Sequence, residues 1–263
     1  MLRHFIWAAT ISSGCLYRPC HGLILPQARA TSHPQFTPHC AARPAPYLPD
    51  MLRKVISRVP GFIEPCRPSK AVRPPSGQQW IHEIKHDGFR LMVRRDGSRI
   101  RCFTKNGHDW GDRFPGIVLA ARRLRAESFL IDGEVVVLRE DGRSDFNALR
   151  GRRRNDAAVL LAFDLVECKG KDLRDVPLLH RKMKLRKVLG RTMTSIQFND
   201  HFTDDGETVL RHVCQMGLEG VVSKRIDAPY RSGLSWTWLK SKNPLSEAVQ
   251  REGSEDWSRL VLV

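Results

Sequence analysis

The 263-residue chain contains no apolar run approaching the ~20 residues that a membrane-spanning helix needs. Its seven cysteines (Cys15, Cys20, Cys40, Cys66, Cys102, Cys168 and Cys214) include no C-x-x-C pair. That argues against a zinc ribbon and against a paired disulfide framework, and free thiols in a reducing compartment are the simplest reading. Acidic residues are scarce. There are 28 Asp and Glu against 44 Lys and Arg, a formal charge of +16, and residues 1–49 hold no acidic residue at all. Such a balance points to a polyanionic partner, with nucleic acid first and an acidic membrane surface second. A merely solubilising surface is the plain alternative. With 41% hydrophobic residues, the chain has enough apolar material for one large domain or two small ones.

Residues 1–58 read as a disordered N-terminal extension, and seven of the 16 prolines fall in its first 49 residues. Three origins fit it: a secretory signal around Phe5–Ile11, an Arg-bearing organellar transit peptide, or a misassigned start with Met51 as the true one. Residues 59–78 are Pro-rich and irregular. After them come three expected strands, 80–85, 89–96 and 98–104. Asp87-Gly88 and Asp96-Gly97 between them predict an antiparallel meander. Helices are expected over 114–124, 178–189 and 207–216. Residues 129–140 read as a bent strand pair, and 158–168, 219–224 and 236–242 as further strands. Strands and helices mix without regular βαβ alternation, so the expected class is α+β with antiparallel sheets flanked by helices. The domain is expected to span 59–245, followed by a short tail at 246–263 with a polar helix.

Lys85 stands in "EIKHDGFR", residues 83–90. Alone, K-x-D-G reads as a solvated lysine beside a turn. The other short pieces change that reading: "DGE" at 132–134, "FD" at 163–164 in an apolar strand, "EGVVSK" at 219–224 and "WLKSK" at 238–242. In this order and at these separations they resemble the adenylation domain of ATP-dependent DNA ligases, in the covalent nucleotidyltransferase (ATP-grasp-like) superfamily. The nearest look is to the ligase module of bacterial ligase D. The resemblance covers roughly residues 60–245.

The resemblance implies a function as an ATP-dependent DNA ligase core. Lys85 would attack ATP to form a lysyl-adenylate. Glu83 would read the adenine amino group, and Phe163 would stack on the base. Arg90 completes the K-x-D-G-x-R match. Lys240 and Lys242 would contact the α-phosphate, Glu219 would hold Mg²⁺ (or Mn²⁺), and Glu134 would contact the ribose or support the metal. Each has a plainer reading: strand-end charges for the two glutamates, core packing for Phe163, and a basic strand edge for the lysines. Lys105 of "TKNG" stands where the family has Arg. It cannot make the bidentate fork, so weaker binding of a nucleic-acid phosphate is expected.

A lysine is nucleophilic only when neutral, and its reference pKa is about 10.4. Arg90, Lys240 and Lys242, if brought together, are expected to depress it. Only 21 residues follow Lys242, too few for the OB-fold that normally follows this domain. The expectation is a catalytic core without that clamp, monomeric, acting on nicked double-stranded DNA, with a repair protein supplying the clamp as one option. Its place would be the cytoplasm or nucleoid, or an organelle if residues 1–50 are a transit peptide. Two alternatives stay open: an RNA ligase or capping-type nucleotidyltransferase, and a non-catalytic nucleic-acid-binding remnant.

Overall fold

Two mixed β-sheets face each other across a shared apolar layer. The computed structural model describes residues 61–152, 154–190 and 195–260, with side chains through 254. The extension expected at 1–58 lies outside the described residues. The first sheet is ordered β1 (Cys66–Lys70), β10 (Gly233–Lys242), β9 (Gly220–Arg225), β2 (Trp80–Ile84). In it, β1 runs parallel to β10 and the other neighbours are antiparallel. The second sheet is ordered β4 (Arg99–Thr104), β3 (Phe89–Asp96), β5 (Ser128–Val136), β6 (Val159–Cys168), β7 (Lys171–Asp172), with β8 (Ile196–Phe198) parallel to β6.

The layer between the sheets takes Cys66, Ile81 and Trp238 from the first and Met92, Phe103, Leu130, Phe163 and Val166 from the second. The apolar faces of α1 (Pro115–Arg123) and α3 (Leu178–Leu189) join the core on the second sheet, through Ile117, Ala120, Ala121, Leu185 and Leu189. Val209 and Val213 of α4 (Gly206–Gln215) pack on Val221 of β9. α2 (Phe146–Arg150) and α5 (Glu247–Leu260) complete the helices. This is the α+β class expected.

One expectation fails in a way that matters. β2 and β3 do not pair. β2 belongs to the first sheet and β3 to the second, so Lys85–Gly88 is a crossover between sheets and not a hairpin turn. Gly88 is required by close approach: a Cβ there would stand 2.0 Å from the Val135 carbonyl oxygen. Asp96-Gly97 does turn a hairpin, with Gly97 at φ +60° and Asp96 paired with Arg99.

Three smaller differences follow from context. The expected strand pair at 129–140 is one strand through Val136, and only an isolated bridge joins Leu138 to Ser144. The Pro-rich lead-in contains β1. It is legible only through its partner, because β10 supplies the ladder that a proline-bearing edge strand accepts. β8 is too short to signal itself.

Candidate active site

The register explains how the site assembles. β2 ends antiparallel to β9, with Ile84 opposite Val221. The next amide, Lys85 N–H, donates to the Gly220 carbonyl at 2.8 Å. This sets Lys85 beside Glu219, and its Nζ lies 2.5 Å from Glu219 Oε1. Glu83 and Lys240 both pair with Val222, so they stand in one row across the first sheet. From the second sheet, Arg90 is opposite Glu134, and Glu134 is opposite Leu161.

A cavity of about 360 Å³ opens between these faces. Glu83, Lys85, Arg90, Lys105, Glu134, Phe163 and Lys240 all line it. Seven of the nine residues singled out from sequence therefore meet at one place. Glu219 lies behind Lys85 in a smaller adjoining pocket, which Asp87 and Arg251 also line. Lys242 lines neither cavity and is paired with Glu252 of α5.

Electrostatics correct the expectation for Lys85. Burial pulls its amine down, but Glu219, with Glu134 and Glu252 behind it, outweighs that and raises its pKa above the ordinary lysine value. Lys85 is thus held as an ammonium in the ligand-free protein. The expected depression operates on a neighbour instead. Burial, then Lys85 and Lys242, lowers Lys240. Burial pushes the Glu134 carboxyl up to about 7, against the pull of Lys85 and Arg90.

Arg90 forks onto Asp132 at 2.5 and 2.7 Å, and its guanidinium lies 4.5 Å from the Phe163 ring centre. Asp132 also accepts from Tyr230 Oη at 2.7 Å. Glu83 is not a free reader. It bridges Lys182 and Lys224, each at 2.7 Å, and accepts from Asn199 at 3.3 Å. Burial would raise the Glu83 carboxyl, but the two ammonium groups hold it below the usual range.

Sequence reasoning missed Asp132, Lys182, Asn199, Tyr230 and the α5 residues Arg251 and Glu252. It quoted Lys224 inside "EGVVSK" without a role. Lys224 Nζ lies 4.1 Å from the Phe163 ring centre and 3.9 Å from that of Trp238. Asp132 was legible as the first letter of "DGE". Lys182 and Asn199 carry no local signal, since only the fold brings them to Glu83.

The donor set fits a divalent ion. Both Glu219 carboxylate oxygens are buried without a well-formed hydrogen bond, although Lys85 lies within ion-pair distance. Among the described residues no three His, Cys, Asp or Glu side chains form a metal cluster. A hard cation held by one or two carboxylates and by substrate phosphates is the arrangement Mg²⁺ prefers.

Residues 61–242 match the family model described as the ATP dependent DNA ligase domain. The chain belongs to this ligase family. It is 40% identical over 195 residues to the multifunctional non-homologous end joining protein LigD of Pseudomonas aeruginosa, covering 72% of this chain and 23% of that one. A probable DNA ligase of Streptomyces avermitilis is 35% identical over 184 residues, covering 64% of this chain and 36% of the relative. The chain thus spans about a quarter to a third of the length of these curated relatives. Among solved structures, mycobacterial DNA ligase D complexed with ATP and MES superposes with TM-score 0.60 at 26% identity, over 68% of this chain and 59% of that one. The Chlorella virus DNA ligase-adenylate, at 16% identity and TM-score 0.51, shares the fold of the ligase domain.

Proposed function

We propose that this chain carries the nucleotidyl-transfer site of an ATP-dependent DNA ligase. Neutral Lys85 Nζ attacks the α-phosphorus of ATP. A P–N bond forms, the Pα–O–Pβ bond breaks, and pyrophosphate leaves. The adenylyl group then passes to a DNA 5′-phosphate, and Lys85 is regenerated as the P–N bond breaks. A 3′-hydroxyl finally displaces AMP, sealing the nick. The observation that carries this reading is the convergence of Lys85, Arg90, Glu134 and Lys240, from two different sheets, on one cavity.

Each residue has a physical task. Lys240, whose proton is loosened by burial and then by its cationic neighbours, faces the α-phosphate. Arg90, locked by Asp132, presents a fixed guanidinium that needs little reorganisation. Phe163 and Trp238 wall the base end, and Lys182 and Lys224 fix the Glu83 carboxylate there. Glu219 and Glu134 would hold Mg²⁺ or Mn²⁺, which supplies charge neutralisation at the phosphates. Drawing Glu219 away from Lys85 removes what keeps the amine protonated, so substrate loading itself would activate the nucleophile.

α-Labelled ATP with Mg²⁺, followed by a denaturing gel, tests this. The protein is expected to retain label, and Lys85→Ala to lose it. Label persisting in K85A refutes the nucleophile. Running all four triphosphates separates this reading from a GTP-dependent capping activity, and a nicked all-DNA duplex against an RNA one separates it from an RNA ligase. Nicked duplex DNA is the proposed substrate, met wherever ATP and DNA share a compartment.

A further inference from the structure

Along β10, Trp236 stands between two residues that line the cavity, Leu234 and Trp238. Trp236 on β10 is 75% exposed, and Leu234 is 58% exposed. Large exposed apolar side chains side by side are informative in a way that scattered ones are not. Two residues further along the same strand, Trp238 is fully buried and lines the cavity. The fold therefore has its buried tryptophan, and Trp236 adds little to the core.

Leu234, Trp238 and Lys240 all line the cavity, and Trp236 falls between the first two along β10. The register against β1 jumps at this point. Pro68 faces Ser235, and the next residue, Ser69, faces Leu239. Residues 236–238 have no partner on β1, and the pairing with β9 begins only at Trp238, so the exposed indole sits where β10 leaves both ladders. The cavity is also lined by Arg67, opposite Leu234, and by Lys105 and Lys240.

We propose that Trp236 is a stacking platform for an unpaired or terminal base of the strand whose 5′-phosphate enters the cavity. This rests on the ligase reading above. Single strands are held by cations that follow the phosphates and by aromatic rings on which bases stack, whatever the sequence. Trp236 supplies the ring, while Arg67, Lys105 and Lys240 supply the cations in a chain of charge +16. An apolar protein segment would match the Leu234–Trp236 step but would meet three cations lining the adjoining cavity, so a nucleic-acid base fits better.

The test uses the full chain and a nicked duplex carrying 2-aminopurine beside the 5′-phosphate. Stacking on Trp236 is expected to change the fluorophore's emission on binding. Trp236→Phe is expected to keep most of the change, and Trp236→Ala to lose it and to bind the nick roughly tenfold more weakly, a typical value for one stacked base. An unchanged signal and affinity in W236A would overturn the proposal. So would loss of the signal in W236A together with unaltered affinity and sealing, because the platform would then do nothing for the reaction. Lysyl-adenylate formation from labelled ATP, measured on the same samples, is expected to be equal in all three proteins. If native protein forms no adenylate, the ligase reading fails, and the emission and affinity data still decide the platform.

Discussion

Arg251 of α5 holds Asp87 of the lysine crossover with both carboxylate oxygens, at 2.7 and 2.8 Å. The same guanidinium lies 4.2 Å from the Phe146 ring centre. Arg251 lies beyond the family-matched segment, yet it fixes the residue two places after Lys85. One Nη2 donates to both oxygens, and a half-buried charge-assisted contact of this kind adds energy and ties the crossover to α5. Arg251→Ala is expected to lower the rate of lysyl-adenylate formation about fivefold, the equivalent of ~1 kcal/mol of positioning. Arg251→Lys is expected to restore part of the rate, since a single ammonium can reach both oxygens as the one Nη2 does. Rates equal to native in both variants would show that the crossover needs no outside support.

The Gly88 contact yields a sharper test. A methyl group there meets backbone, the Val135 carbonyl, and a strand paired on both sides cannot step aside. Gly88→Ala is expected to destabilise the domain by more than ~2 kcal/mol, as overpacking against an unyielding wall does. Thermal melting checks it. A melting temperature within a degree of native would mean that the crossover has room the structure does not show.

Much of the site was legible because its chemistry is carried by short contiguous pieces. "EIKHDGFR" places Glu83, Lys85 and Arg90, and strand alternation alone puts Glu83 and Lys85 on one face. The turn between Lys85 and Arg90 was misread because Asp-Gly is a good hairpin signal, and local sequence cannot say which sheet the next strand joins. β1 escaped notice because prolines mask a strand whose ladder comes from a partner far along the chain, Cys66 pairing with Gly233. The sign of the Lys85 shift was misjudged for a related reason. The cations lay in motifs already quoted, but the decisive neighbour is the carboxylate that the β2–β9 register sets at 2.5 Å. Lys182 reaches Glu83 from the middle of a basic helix whose pattern announces only solvent exposure.

Burial lowers the pKa of His86 from the ordinary 6.5 to about 4, although a hydrogen bond with Asn199 opposes this. A histidine depressed in the folded state binds its proton more readily when unfolded. Its contribution is complete above pH ~6.5 and is lost as pH falls towards ~4. Because His86 is half-buried, the slope stays below the single-group limit of ~1.4 kcal/mol per pH unit. Stability of native protein is expected to fall over that window relative to His86→Gln. Parallel stability–pH curves for the two proteins would exclude the shift.

The Glu83 cluster carries the strongest prediction, because one carboxylate holds two buried ammonium groups. Lys182 and Lys224 are each about 1% exposed, and burial with the neighbouring Lys182 already draws Lys224 down to about 8. Glu83→Gln keeps the shape and removes the charge, leaving two like charges face to face in the interior. Breaking a buried pair by deleting one partner costs about 3–5 kcal/mol. E83Q is therefore expected to melt at least ~6 °C below native. Adding Lys182→Met removes one of the stranded charges, so the double variant should lose less than the sum of the two single losses. Additive losses would mean that the three groups do not act as a unit. Where E83Q remains folded, its preference for ATP over GTP tests the proposed adenine-reading role of Glu83. A purely structural carboxylate leaves the preference intact, whereas one that also faces the adenine amino group lets it relax.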